Sequence, residues 1–308
     1  MQVYSNKGRE FDMQTKVKKQ KMKSSLGDKI FVIINTVILL CMCFVTLYPI
    51  WYVLCASMTS NTYLVSHPGI MLWPHEVTFG AYKMAFSHPL LLSGYKNTLI
   101  VLAVSLPINI LLTLFAGYFM ASKDVMFKPL IQGLIMFTMF FSGGLIPTYY
   151  NITKTLHLSN NILALILPGA VNVFNFVIMR SFFVQLPDSL EEAARIDGAN
   201  EYTILFRIIY PLSIPMLATI AMFVAVGLWN SWFSAQLYMR DENWYPLQLI
   251  IRNYIVRNPK PADMQLMEGL RDAAGNRLYL NETGIKMACA VVSTIPMLLI
   301  YPFIQKYF

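Results

Sequence analysis

An all-α membrane protein with six transmembrane helices is the fold class predicted by three observations: a composition too apolar for a soluble surface, six long stretches free of charge, and basic residues crowded at the N-terminus. Of 308 residues, 56% are hydrophobic and 13% charged, with a mean hydropathy of +0.51. A soluble domain carries about a quarter charged residues. Six spans of ~20 residues use only ~120 residues, which leaves more than half the chain for loops and a tail.

The spans are placed by the absence of Asp, Glu, Lys, Arg and His, because a charge at the centre of a spanning helix costs ~2.5–3.5 kcal/mol. The stretches are Ile30 to Ser57, Asn97 to Ser122, Pro129 to Thr153, Leu158 to Met179, Ile208 to Met239 and Met287 to Gln305. Between the fourth and fifth, the segment from Asp188 to Arg207 carries Asp188, Glu191, Glu192, Arg195, Asp197, Glu201 and Arg207. At about 20 kcal/mol for insertion, that segment belongs in water or against a protein.

Orientation follows from Lys7, Arg9, Lys16, Lys18, Lys19, Lys21, Lys23 and Lys29, which put the basic tail 1–29 in the cytoplasm ahead of a six-span domain 30–308. The C-terminus then returns to the same side, as do loops 123–128 and 180–207, while 58–96, 154–157 and 240–286 face outward. The last of these holds Arg240, Arg252, Arg257, Lys260, Arg271 and Arg277. Its length is at the limit where the positive-inside rule applies, so the tail decides. The tail adjoins anionic lipid rather than nucleic acid. The apolar run behind it is too long for a signal peptide's ~7–15-residue core, so the first span is expected to remain in the mature protein.

Several chemistries are excluded or unsupported. Cys41, Cys43, Cys55 and Cys289 all fall in apolar spans without a C-x-x-C, where cysteine packs as a small hydrophobe. His67, His75, His88 and His157 lie in outer loops without H-E-x-x-H spacing, so no metal site is expected. No Gly-Lys dipeptide exists, so the Walker phosphate loop cannot form and the chain is not a nucleotide-hydrolysing enzyme by that route. The spans hold no carboxylate or imidazole for a proton relay, although unwound carbonyls can bind Na⁺. Any driving force is expected to act from outside the membrane.

Residues 187–215 then carry the local prediction. Ser189 and Glu192 have capping-box spacing. Leu190, Ala193, Ala194 and Asp197 recur on one helical face, and Gly198 is a natural left-handed terminator. The spacing predicts a helix of about nine residues, ~13 Å long, whose alanines admit close approach. A second helical pattern follows, with Tyr202, Leu205, Phe206 and Ile209 on one side, before Pro211 and Pro215 mark the return to the membrane. Glu191, Glu192, Asp197 and Glu201 would oppose an anionic leaflet, which favours a protein partner over lipid.

Glu192-Ala193-Ala194, three residues, Gly198, nine residues, Ile208 and then Pro211 resemble the E-A-A-x3-G-x9-I-x-L-P signature of permease subunits of binding-protein-dependent ABC importers, with Tyr210 in place of the usual Leu. The longer form through Arg195-Ile196-Asp197-Gly198-Ala199, with Trp229-Asn230 in the following span, is similar to carbohydrate-uptake permeases of the maltose-transporter type, specifically the second permease. That resemblance covers most of the chain from about residue 30. The run Phe141 to Tyr150 resembles a subgroup linked to larger or polymeric glycans.

The resemblance implies a bacterial inner-membrane permease with both termini cytoplasmic. Its partners would be a second homologous permease, two cytoplasmic ATPase subunits that bind ATP and Mg, and an extracytoplasmic sugar-binding protein. This chain itself would hold no cofactor. Glu192, Ala193, Ala194, Asp197, Gly198 and Pro211, in a loop at about 187–211, would couple to the ATPase, and the long loop at about 240–286 would engage the binding protein. For the substrate path, sugars need amides for their hydroxyls and aromatic faces for their C–H sides. Asn172 and Asn175 stand three apart on the fourth span, and Trp229, Asn230 and Trp232 stand at the outer end of the fifth. Interhelical hydrogen bonding explains such amides equally well. An amino-acid or phosphate permease shares the coupling signature. A secondary transporter or a membrane scaffold that merely docks an ATPase are the other readings, separated by uptake without ATPase and by the absence of flux.

Overall fold

The computed structural model describes residues 26–123, 125–256 and 282–305, so most of the basic tail and the span 257–281 of the long loop lie outside the described residues. Every regular element among the described residues is helical. The chain divides into two compact units, Met1–Trp51 and Tyr52–Phe308.

The first unit holds most of α1 (Leu26–Met58), which is apolar all round and exposed through residue 51, apart from the half-buried Tyr48. Two of its threonines are satisfied within the helix: the Thr36 and Thr46 hydroxyls donate to the Val32 and Met42 carbonyls at 2.7 and 2.9 Å. A helix in hydrocarbon needs this, since no water is present to take those donors.

The second unit contains α2 (Asn61–Ser66), α3 (Gly80–Ser87), α4 (Pro89–Ala121), α5 (Lys128–Phe140), α6 (Leu145–Tyr150), α7 (Leu163–Ile166), α8 (Val173–Val184), α9 (Asp188–Ile196), α10 (Glu201–Ile204), α11 (Tyr210–Leu212), α12 (Ile214–Trp229), α13 (Phe233–Tyr238), α14 (Leu247–Val256) and α15 (Glu282–Gln305). Among the described residues, three helices are long and apolar enough to cross a membrane: α1, α4 and α15. Three further candidates are bent pairs. The stretch at Pro129 to Thr153 turns by 105° between α5 and α6, the fourth bends by 42° ahead of α8, and the fifth by 77° ahead of α12.

Charge counting does not see these bends, because they are made by uncharged residues. Ser142-Gly143-Gly144 separates α5 from α6, Asn172 stands before α8, and Ser213 between Pro211 and Pro215 stands before α12. The second predicted span also starts too late. Pro89 opens α4 at its first position, where a missing N–H costs nothing, and Lys96 is carried inside the helix. The predicted fifth span ends early, at Trp229. The expected outer loop likewise begins with packed structure: Leu247, Leu249, Ile250 and Ile251 of α14 are buried.

The long helix α4 organises the second unit. It packs against α8, α12 and α14 and runs between two apolar cores. One core joins Met84 and Ala85 of α3, Leu91 of α4, Trp229 of α12, Leu247 and Ile251 of α14, and Ile285, Cys289 and Val292 of α15. The other joins Leu114 of α4, Met179 and Phe183 of α8, Ala194 of α9, Ile204, Leu205 and Ile209 around α10, and Leu217 and Ile220 of α12. Polar side chains fasten the Trp229 end. Asn97 donates to the Asn243 and Tyr245 carbonyls at 2.7 and 3.1 Å, and Thr98 accepts the Leu247 amide at 2.9 Å.

At Gly94, α4 and α14 approach so closely that an added Cβ would stand 2.5 Å from Ile250 Cδ1 and 3.1 Å from Leu247 Cα. The isoleucine tip can swing away but the backbone of α14 cannot. Gly94→Val is therefore expected to destabilise the unit by about 1–3 kcal/mol through overpacking. Thermal unfolding in detergent checks this, with Gly133→Val, at a glycine with open space around it, as the mild control.

Candidate functional site

The charged segment folds as a short rod. Pro187, extended at φ −62° and ψ 126°, precedes α9, and Asp188 takes its first helical position. Asp188 and Glu191 in the first turn oppose the positive end of the helix dipole. The expected capping box is not formed. Because Pro187 takes the cap position two residues before Ser189, Ser189 lies inside the first turn, and no side chain caps the end.

The other end follows the prediction. Gly198 adopts φ +81°, its amide donates to the Arg195 carbonyl at 3.0 Å, and the Ala199 amide donates to the Ala194 carbonyl at 3.0 Å. That pair of bonds is the Schellman closure. A Cβ at this φ would crowd its own backbone.

The rod's two alanines divide its surface. Ala194 is 7% exposed and belongs to the core shared by α4, α8 and α12. Glu192, Ala193, Asp197 and Gly198 are exposed, and Ile196 is 86% exposed. One methyl therefore seats the rod on the spans while an acidic and apolar ridge faces away. The second helix departs from its predicted face. A π-turn at Leu205–Ile209 adds a residue to the helical turn, so Ile204, Leu205 and Ile209 are buried whereas Tyr202 and Phe206 are exposed.

Charged contacts brace the rod without burying it. Lys123 Nζ meets Asp188 Oδ2 at 2.5 Å, and Arg195 Nη2 meets Glu201 Oε1 at 3.0 Å. The Tyr118 hydroxyl donates to Glu201 Oε2 at 3.0 Å. The Asp188 carboxylate raises the Lys123 ammonium above its usual value. Burial, partly offset by the Arg195 guanidinium, pushes the Glu191 carboxyl above the ordinary range. Solvent screens such exposed pairs; they orient the rod more than they hold it. Pro211 lies in α11, at the start of the 77° bend whose far side is α12.

The candidate path residues fall around α12 in two separate places. Asn172 and Asn175 border a cavity of ≈330 Å³ together with Asn109, Gly169, Phe223 and Gly227. They do not share a helical face. Asn172 is extended and caps α8, its Oδ1 accepting the Asn175 amide at 3.2 Å. Asn109, which sequence reasoning missed, donates to the Gly169 carbonyl at 2.7 Å; its only signal was an amide in an apolar stretch.

Trp229 and Asn230 border a second cavity of ≈490 Å³ with Gln248, Ser293, Thr294 and Met297. Trp229 is 2% exposed and its Nε1 donates to the Ser293 carbonyl at 3.1 Å. It builds the wall and presents no stacking face, a correction to its expected role. Asn230 donates to the Val226 carbonyl at 3.0 Å, closing its own helix end. Trp232 lies beyond that end, with Arg252 over its ring. Among the described residues no three His, Cys, Asp or Glu side chains gather as metal ligands.

A model of the family described as "Binding-protein-dependent transport system inner membrane component" matches residues 77–308. Protein LplC of Bacillus subtilis (strain 168) is 36% identical over 287 residues, covering 93% of this chain and 94% of the relative. The polygalacturonan/rhamnogalacturonan transport system permease protein YtcP of the same organism is 36% identical over 270 residues, covering 88% and 92%. Among solved structures, a chain of a bacterial ABC transporter involved in the import of the acidic polysaccharide alginate superposes with a TM-score of 0.84 at 31% identity, covering 92% of this chain and 99% of that one.

The left-handed conformation at Gly198 makes the rod's end sensitive to one side chain. Gly198→Val costs about 1–2 kcal/mol there, which corresponds to roughly tenfold faster hydrogen exchange at the 198 and 199 amides. Gly198→Asn, which tolerates the same backbone region, is expected to exchange within about threefold of the native protein.

Proposed function

The chain belongs to the family of binding-protein-dependent transport system inner membrane components, and from that premise we propose that it is the permease subunit of an ATP-driven importer that moves an oligosaccharide into the cytoplasm. Each bent pair is read as one span, which makes six. The basic tail 1–29 and both termini lie in the cytoplasm, and the domain 30–308 crosses the membrane. A second homologous permease completes the path. Two separate ATPase subunits bind and hydrolyse ATP with Mg, and an extracytoplasmic binding protein delivers the sugar to the loop at about 240–286.

One observation carries the mechanical part. The rod α9 is sunk by Ala194 into the core that also holds Leu114, Met179 and Leu217, while its opposite ridge is free for a partner. A displacement of the ridge therefore acts on the ends of α4, α8 and α12 together, because packed cores shift as units rather than deform. Glu192, Ala193, Asp197 and Gly198 form the contact, Ala194 the anchor, and Pro211 the start of the bend through which α12 follows. Asn172, Asn175 and Asn230 offer amides to sugar hydroxyls, whereas the Trp232 ring is covered by Arg252. The sugar class rests on the relatives, one named for polygalacturonan and rhamnogalacturonan transport and one structure described for alginate import.

The test is uptake of labelled oligogalacturonides into proteoliposomes holding the complete complex. ATP-dependent accumulation is expected; uptake that survives omission of the ATPase subunits sinks the proposal. In the same vesicles, Ala193→Arg, which places a long cation on the ridge without touching the buried Ala194, is expected to lower uptake about tenfold or more, as hot-spot contacts do. ATP hydrolysis by the ATPase subunits should persist.

A further inference from the structure

The ring of Trp232 lies under the guanidinium of Arg252, whose Cζ is 3.8 Å from the ring centroid. Arg252 Nη1 donates to Gln236 Oε1 at 2.8 Å. Among the described residues no carboxylate pairs with this cation. A guanidinium has five N–H donors in one plane. Gln236 takes one Nη1 donor, so among the described residues a two-donor edge is left, and such an edge matches a carboxylate bidentately.

The surroundings suit a sugar. Gln248 precedes Arg252 by one turn of α14, at i and i+4 on the same side. It borders the ≈490 Å³ cavity together with Asn230, Ser293 and Thr294, a volume within the ~300–1,000 Å³ range of ligand pockets. A fixed cation, an indole and neutral amides thus follow one another along α14 and the end of α12.

We propose that Arg252, braced by Trp232 and Gln236, binds the carboxylate of a uronate residue as an acidic glycan passes the extracytoplasmic end of α12. This rests on the permease reading above and narrows its substrate class. Neutral glycans lack the group that the two-donor edge recognises. They gain only the amide contacts.

The experiment uses the complete complex in proteoliposomes with saturating binding protein. Trigalacturonate and its fully methyl-esterified form, equal in length but uncharged, are the probes. For each probe the initial rate is expressed as variant over wild type, so the binding protein's own preference cancels. Arg252→Gln is expected to lose about tenfold or more on the acid, and at least fivefold more than on the ester, as loss of a bidentate contact to a charged group predicts. Equal loss on both probes, or no loss on the acid, overturns the proposal. Equal loss accompanied by weaker capture of the binding protein assigns Arg252 to protein docking, and overturns it too.

Should the wild type carry the acid alone, Arg252→Lys decides. A rate clearly below wild type and clearly above that of Arg252→Gln is expected, because an ammonium keeps the charge but not the paired donors; a rate equal to either one overturns the proposal. A wild-type complex that carries neutral maltotriose but neither pectic probe sinks this inference and leaves the permease reading standing. One that moves no oligosaccharide under ATP sinks both.

Discussion

Hydrocarbon offers no partner for a peptide N–H or C=O, and the three bends in this chain are arranged around that single constraint. Each bend frees backbone groups that a straight helix would satisfy. At the break before α8, Asn172 Oδ1 takes the Asn175 amide and Asn109 Nδ2 gives to the Gly169 carbonyl. At the bend before α12, the Ser213 hydroxyl donates to the Ile209 carbonyl at 2.6 Å. The asparagines that look like sugar ligands in the sequence are thus first the groups that make a broken helix affordable. A cavity bordered by Asn109, Asn172 and Asn175 lies beside the break.

The rod obeys a different rule. Its charges lie in water and its ion pairs are exposed, so its attachment depends on Ala194, on the buried side chains of α10 and its π-turn, and on the closure at Gly198. A small residue at 194 brings the α9 backbone close to Met179 and Phe183, and Gly198 lets the chain reverse at once into α10. The ends of the rod are fastened by different means. Lys123, in the loop after α4, reaches Asp188 at one end, whereas Arg195 and Tyr118 share Glu201 at the other. This cross-bracing ties the rod to α4 twice and fixes its direction, even though each pair contributes little energy.

Much of this was legible in the residues, and the failures have physical causes. Charge exclusion placed the apolar stretches because one misplaced lysine costs more than any propensity preference. The turn chemistry of Gly198 was legible because few residues adopt positive φ. The bends were not, since serine, glycine, asparagine and proline carry no charge and interrupt an apolar run without ending it. The capping box failed because Pro187 outranked Ser189 in deciding where the helix begins. The π-turn at Leu205–Ile209 rotated the second helix by an amount no regular period contains. Trp229 misled by its chemistry: an indole suits a sugar face, but its burial and its bond to the Ser293 carbonyl are decided by α15, far away in sequence. The pairing of Arg252 with Trp232 escaped for the same reason, being set by how α14 folds back.

The two cores share only α4 and α12. Every other helix in them belongs to one alone: α8, α9 and α10 to the rod end, α3, α14 and α15 to the Trp229 end. Among the described residues, these two helices are the elements that belong to both cores, and both cavities lie against α12. α4 is a single helix of 33 residues, about 50 Å long at 1.5 Å per residue, whereas α12 begins at the bend after Pro211. The unbroken helix suits a fixed strut. The bent one, with open volume on either side and its Trp229 end locked by the indole, is the element with both the freedom and the room to move.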